Sequence, residues 1–330
     1  MTETAVTIGF FDGLHLGHQH LIASLCQLAR EERLRSCVVT FGQHPRQVLC
    51  PDWQPQLLTT PEEKRLLLAA TGVDQVEMLT FTREMAALTA RQFMEQVLRQ
   101  QLSARLLLTG FDNRFGHGRQ EGFPDYEAYG RELGISVIAA TPFALPPAPV
   151  GSQPPAPPQG ITLPTGAAGS PVRPASSLIR VLVAKGDVTE AARLLGRPYS
   201  LTASVTGGFQ VGRTLGFPTA NLQPIGSGKL VPGNGVYAVR VGIDGERPWR
   251  PGMMNIGTRP TFGSHPQTLE VHLLHFSSQL YGHRMEVVFV AHLRNEQRFS
   301  SPAELVSQLK RDAQQTEDIF SQEEHRRVEE

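Results

Sequence analysis

Cysteine is scarce in this 330-residue chain, with only Cys26, Cys37 and Cys50. An odd number, no C-x-x-C and no histidine at metal spacing exclude a disulfide framework and a zinc site and predict reduced thiols. Net charge is absent too: 31 Lys and Arg balance 31 Asp and Glu. No global field recruits nucleic acid or an acidic membrane surface, which leaves only a local patch for such partners. No apolar run approaches the roughly 18 residues of a spanning helix, and Met1 to Val6 lacks the basic and apolar regions of a secretory leader. The expectation is a cytoplasmic protein with no membrane partner, a monomer or a weak homo-oligomer. The G-x-x-x-x-G-K-S/T loop, H-E-x-x-H and the G-x-S-x-G elbow are also missing, which excludes the chemistries they carry.

What the sequence has in excess is proline. Of 25 prolines, 11 fall between Pro142 and Pro174, in a stretch whose one charge is Arg173. Such a segment is expected to be extended, with polyproline II character, and reads first as a linker. At roughly 100 to 200 residues per domain, the length accommodates two domains.

The two sides of the tract differ in rhythm. Before it, short apolar runs (Val6 to Ile8, Ser36 to Phe41, Gln75 to Leu79, Arg105 to Thr109, Ile135 to Ala139) alternate with helical stretches (Gly17 to Glu32, Pro61 to Ala70, Thr89 to Leu102, Asp125 to Leu133). This is the pattern of a parallel sheet covered on both faces, with a ligand at its carboxyl edge. After the tract, one helix (Thr189 to Leu195) precedes five β-rich runs: Leu201 to Thr206, Val236 to Val241, Met253 to Ile256, Leu269 to Phe276 and Met285 to Leu293. Short strands with Gly and Pro punctuation predict a small antiparallel barrel or sandwich. A closing helix starts at Ser301-Pro302-Ala303-Glu304, with Ser as cap and Pro at the first helical position. Residues 321–330 are expected to be a frayed, charged tail.

Two stretches carry chemistry. Gly9-Phe10-Phe11-Asp12-Gly13-Leu14-His15-Leu16-Gly17-His18 follows the first strand and opens the first helix, which puts free N–H groups and the positive helix end at the sheet's edge. His15 and His18 are one helical turn apart and can face one oxygen, while Gly17 permits a close backbone approach. The pair suits stabilisation of charge on an α-phosphate. The second stretch, Gly212-Arg213-Thr214-Leu215-Gly216-Phe217-Pro218-Thr219-Ala220-Asn221, sets two neutral oxygens in a rigid loop, which suits a magnesium ion held mainly by nucleotide phosphates. Glu270 sits in an otherwise apolar strand, where a carboxylate must face a polar site or solvent. Lys64 and Arg65 read as a solvated helix face, with contact to a ligand phosphate as the alternative, and His272, His275, His283 and His292 as surface or satisfied strand histidines.

The run G-x-F-D-G-x-H-x-G-H resembles the adenylyltransferase half of the bacterial bifunctional riboflavin kinase/FMN adenylyltransferase (FAD synthetase) family of H-x-G-H nucleotidyltransferases. The likeness extends through Thr40-Phe41 with His44-Pro45, Gly110 to Gly116 and Ser176-Ser177-Leu178-Ile179-Arg180. In the second half the run from Gly212 to Asn221 matches the riboflavin kinase motif without a break, with further matches at Gly235 to Tyr237, Asn255 to Phe262, Glu270 to Leu274 and Leu280 to Gly282. The resemblance implies a Rossmann-like nucleotidyltransferase domain with a parallel sheet, then a six-stranded antiparallel β-barrel with a C-terminal helix. It implies phosphorylation of riboflavin by ATP to FMN and adenylylation of FMN to FAD, with Mg2+. For adenylyl transfer it assigns His15 and His18 to the α-phosphate and Gly9, Phe10, Phe11, Asp12, Gly17, Ser176, Ser177 and Arg180 to ATP. For the kinase step it makes Glu270 the general base, with Gly212 and Arg213 on ATP and Thr219 and Asn221 at the metal. Asp112, Arg114 and Arg259 are implied as flavin-binding.

Ala175, Ser177, Leu178 and Asn113 stand where the family has Ser, Thr, Arg and Phe. These departures leave open a riboflavin kinase whose N-terminal module binds nucleotide or flavin without efficient adenylyl transfer. A third reading, an interaction protein docking through its prolines, lacks a P-x-x-P flanked by basic anchors. Because Ser176 to Arg180 lies beyond the proline tract, the tract reads as an insertion (142–174) inside a first domain of residues 1–186. Residues 187–320 form the kinase domain and 321–330 the tail.

Overall fold

In the computed structural model, which describes residues 2–110, 113–146, 171–207, 215–258 and 267–329, the chain divides into two compact units, Met1–Ser176 and Ser177–Glu330. The predicted residues Asp112, Gly212, Arg213 and Arg259, and the core of the proline tract, lie outside the described residues.

The first unit runs β1 (Thr4–Ile8), α1 (Leu16–Glu31), β2 (Arg35–Phe41), α2 (Pro45–Leu49), α3 (Pro61–Ala69), β3 (Gln75–Leu79), α4 (Arg83–Ala87), α5 (Ala90–Phe93), a π-helical continuation (Met94–Gln101), β4 (Ala104–Thr109), α6 (Phe123–Leu133) and β5 (Ser136–Ala139). The five strands are parallel in the order β3-β2-β1-β4-β5. Alternate side chains serve opposite layers, as the strand period of two requires. Ala5, Val38, Leu106 and Leu108 pack with Leu21, Ile22 and Leu25 of α1. Val6, Val39 and Leu107 pack with Phe93, Met94, Val97 and Leu98 on the other face. β1 sits where the strand order reverses, so its carboxyl end opens onto the crevice where such sheets bind ligands. Helix starts follow their caps: Thr60 Oγ1 accepts from the Glu63 N–H at 3.1 Å, the Glu63 carboxylate accepts from the Thr60 N–H at 2.9 Å, and Pro61 holds the first helical position. All three cysteines are free, and burial pushes the Cys37 thiol up to about 12.

The second unit contains nearly all of α7 (Ser176–Ala184), then α8 (Val188–Leu195), β6 (Ser200–Thr206), β7 (Ala220–Pro224), β8 (Gly235–Ile243), β9 (Arg250–Thr258), β10 (Gln267–Leu273), β11 (Arg284–Arg294) and α9 (Pro302–Glu329). The six strands close into a barrel in the order β10-β7-β6-β11-β8-β9, which decides between barrel and sandwich. Leu201, Ala203 and Val205, Tyr237 and Val239, and Met285, Val287 and Phe289 are buried at every second position. α9 packs over β9 and is anchored by Arg294, whose Nε and Nη2 donate to the Asp312 carboxylate at 3.0 and 2.7 Å. Asp312 is 1% exposed, so Arg294→Met strands a buried carboxylate. We expect it to destabilise the barrel by about 3 kcal/mol, measured as the shift in the urea transition of the full chain followed by near-UV signals of the barrel.

β7 and α9 differ from the sequence reading, and the short helices α2 and α4 fill stretches for which it predicts no element. α7 carries Ile179, Leu182 and Val183 as a buried stripe at helical spacing. β7 was hidden inside the Thr-Ala-Asn motif, whose loop signals masked a strand entered at Ala220. α9 continues through Glu329 instead of fraying after 320, with Arg240 paired to Glu323 and lying 5.1 Å from the Phe320 ring. Among the histidines, His272 meets the Pro218 carbonyl (2.8 Å), His275 pairs with Glu317 and His283 with Asp244. His292 departs from the expectation: its Nε2 is buried without a partner, and burial lowers its pKa.

Candidate active sites

At the end of β1 the chain turns through backbone that favours glycine. Phe11, Gly13 and Leu14 have φ of 52°, 76° and 39°, and such strain in non-glycine residues persists only where neighbours over-determine it. Here they do. The Asp12 carboxylate, 2% exposed, accepts from the N–H groups of Leu58 (3.0 Å) and Thr59 (3.1 Å) and from the Thr59 hydroxyl (3.1 Å), while the Gly13 N–H donates to that hydroxyl. Ser176 Oγ donates to the Asp12 carbonyl at 2.9 Å, and Asn113 Nδ2 donates to the Ile8 carbonyl at 2.5 Å. Asp12 therefore braces the turn from behind. Asp12→Ala leaves several buried donors unsatisfied and should destabilise the first unit by about 3 kcal/mol, visible as a lower thermal midpoint for its unfolding step.

The brace aims two imidazoles. His15 caps α1, its Nδ1 accepting from the His18 N–H at 3.3 Å, which fixes the tautomer that carries its proton on Nε2. The His18 ring stacks on it, 3.6 Å between centroids at 19°, and Phe11 meets His18 edge-on at 5.1 Å. Burial, helped by His15 and Lys64, holds the His18 pKa well below the ordinary histidine value, so this imidazole stays neutral near pH 7. Gly17 is needed for this stacking: a Cβ there would stand 3.2 Å from the His15 ring and 3.6 Å from the Pro174 carbonyl. Gly9 likewise leaves room for the Phe11 ring, 3.0 Å from where its Cβ would be. Phe10 presents its carbonyl to Thr40 Oγ1 at 3.1 Å and its ring to His44 at 4.6 Å. Ser177 is exposed and Arg180 half-buried on α7, and Arg114 is exposed beyond β4. Lys64 is a correction to the sequence reading: it lies under the turn, 2% exposed, not on a solvated face.

In the second unit, Glu270 lies in β10 between buried Leu269 and Val271 and faces outward from the barrel core. The outer wall is covered there. A cavity of about 350 Å³ lies between the strands and α9, with Phe217, Val236, Met253, Leu305 and Leu309 as its apolar walls and Thr219, Asn255, Glu270, His272 and Glu296 among its polar lining. An apolar pocket with a few convergent polar groups is what a small planar substrate requires. Glu270 pairs in register with Asn221 of β7 on one side and Asn255 of β9 on the other. Directly opposed residues share a face, so an amide flanks the carboxylate on each neighbouring strand. Thr219 Oγ1 reaches a Glu270 oxygen at 3.4 Å. Asn255 opens a stretch that the sequence reading matches to the family without giving the residue a role; strand register sets it opposite Glu270. His272 and Phe217, 5.2 Å apart, brace the Pro218 end of the Thr219 loop.

The architecture and the two sites define a two-domain transferase of the nucleotide-handling kind, an H-x-G-H α/β domain followed by a closed barrel with a carboxylate at a covered cavity. The FAD synthetase family model matches residues 1–153 and the riboflavin kinase family model residues 195–320. The chain belongs to the bifunctional riboflavin kinase/FMN adenylyltransferase family. The protein of that name from Escherichia coli (strain K12) is 37% identical over 315 residues, 96% of this chain and 92% of that protein. The one from Bacillus subtilis (strain 168) is 32% identical over 326 residues, 97% and 93% of the two chains. A solved structure from Streptococcus pneumoniae, described as a macrolide-efflux protein, superposes with a TM-score of 0.80 at 29% identity, covering 96% of this chain and 95% of that one. No helix among the described residues is long and apolar enough to cross a membrane.

Proposed function

We propose that this chain converts riboflavin and ATP to FMN and ADP in its barrel, and FMN and ATP to FAD and pyrophosphate in its α/β domain. The observation that supports this reading is the coincidence of a candidate site with each matched family model: the stacked histidine pair within residues 1–153 and the carboxylate-headed cavity within residues 195–320.

In the kinase step Glu270 takes the proton from the terminal ribityl hydroxyl as that oxygen attacks the γ-phosphorus; the bond to the β-phosphate oxygen breaks and ADP leaves. The apolar walls take the ring system, and Asn221 and Asn255 orient the polar tail beside Glu270. A bound Mg2+ would neutralise phosphate charge, and Thr219 and Asn221 are the residues that would hold it. The donor set suits an ion that arrives on the nucleotide: neutral oxygens beside one carboxylate, with no cluster of three or more His, Cys, Asp or Glu side chains among the described residues. In the adenylyl step an FMN phosphate oxygen attacks the α-phosphorus, pyrophosphate leaves, and His15 and His18 donate to the α-phosphate as its charge develops. Ser176, Ser177 and Arg180 hold the outer phosphates. The compact units part at Ser176, short of the boundary near 186 that the resemblance implies.

Chromatographic identification of products from riboflavin, ATP and magnesium tests both steps on purified protein. Expected are FMN followed by FAD. Absence of FMN overturns the first assignment, and FMN without FAD leaves only the kinase.

A further inference from the structure

Lys64 has no part in the assignments above, and a buried lysine needs a reason, because taking an ammonium out of water is costly unless charge or hydrogen bonds replace the hydration. From α3 its Nζ donates to the Phe10 carbonyl at 3.0 Å and the Phe41 carbonyl at 2.6 Å, and sits 3.9 Å from the centroid of the Phe10 ring. Phe41 ends β2 and Phe10 lies two residues beyond β1, so one side chain ties together two neighbouring chain ends at the sheet's carboxyl edge. Phe10 leads directly into the left-handed turn that delivers His15. An apolar residue would fill this space with no hydration to replace, but it would satisfy neither carbonyl and supply no charge.

We propose that Lys64 is a positioning residue for adenylyl transfer, its ammonium clamping the ends of β1 and β2 so that the turn over residues 9–14 aims the histidine pair, with a fixed cation behind the rings. The proposal rests on the reading of residues 9–18 as the adenylyl-transfer site. It is consistent with the electrostatics: burial lowers the Lys64 pKa to about 8 against the opposing pull of Asp12, and Lys64 joins His15 in depressing His18.

The test compares the full-length protein with Lys64→Met and Lys64→Arg, reading FAD formation from supplied FMN, riboflavin phosphorylation on the same preparations, and histidine titration by NMR. With Met, kcat for FAD formation should fall roughly 10- to 100-fold, riboflavin phosphorylation should be unchanged, and the His18 midpoint should rise toward the ordinary value. Arg should recover most of the kcat and keep the His18 midpoint low. In wild type, FAD formation should decline as pH rises through about 8 as Lys64 deprotonates, a limb that Arg removes. Wild-type kcat in the Met variant with an unmoved His18 titration would overturn the proposal. A kcat loss that merely tracks the unfolded fraction, by near-UV circular dichroism, overturns it too, since Lys64 is then structural only. If wild type forms no FAD, the site reading fails instead, and the His18 shift alone decides for or against Lys64.

Discussion

Glu270→Gln should abolish most riboflavin phosphorylation while FAD formation from supplied FMN continues at its normal rate. Gln keeps the size of the side chain and an oxygen for Thr219 Oγ1, now 3.4 Å from the carboxylate, but it cannot accept a proton. A positioned general base contributes about 10²- to 10⁴-fold, so kcat should fall by that factor. Because the proton moves only in the transition state, kcat and kcat/KM should fall together and KM for riboflavin should hold. The neighbourhood supports this split. The apolar walls of the cavity, Phe217, Met253, Leu305 and Leu309, are untouched by the substitution, and Asn221 and Asn255 stay in register on either side. A rise in KM with unchanged kcat would instead make Glu270 a binding group, and the base would have to be sought elsewhere in the cavity, with Glu296 the other carboxylate in its lining.

Much of this molecule is legible in its sequence, and what is not follows one rule. The alternation of buried strands with helices is local, so β1 to β5 and the longer helical stretches between them are readable from apolar period alone. The turn at Gly9 to His18 is equally local, since glycine and histidine spacing next to a strand end already implies a strand-to-helix corner. Glu270 is conspicuous because a carboxylate between Leu269 and Val271 violates its strand's apolar pattern. Facing outward from the barrel does not place it in open solvent, because α9 returns to cover that face and the outward side of β10 becomes the wall of a cavity.

The residues that escaped are those whose partners are distant in sequence. Lys64 reads as part of a charged, amphipathic helix start, Glu62-Glu63-Lys64-Arg65, and only the arrival of the Phe10 and Phe41 carbonyls buries it. Asn255 opens a matched motif but has no assigned role until β9 pairs with β10 and brings it opposite Glu270. Asp12 is similar: its position implies ATP, but its carboxylate meets Leu58 and Thr59, forty-six and forty-seven residues on.

The second large effect is expected at His15, where catalysis and structure must be separated. His15 is at once the N-cap of α1 and one of the two rings stacked over Gly17. His15→Ala removes both roles: the lost cap costs about 1 kcal/mol, and FAD formation should disappear while FMN formation persists. His15→Asn separates them. Asn ranks among the best cap residues and its side-chain oxygen can accept from the His18 N–H as Nδ1 does now, so helix stability should be retained. It cannot carry a donor as far out as Nε2. If that N–H stabilises charge on the α-phosphate, the Asn variant should lose about 10²- to 10³-fold in kcat for FAD formation, with near wild-type thermal unfolding and unchanged riboflavin phosphorylation. Adenylyl transfer at full rate in His15→Asn, with loss only in His15→Ala, would show that the imidazole serves α1 and not the phosphate. The burden would then fall on His18, whose neutral ring is already held without a partner at Nδ1.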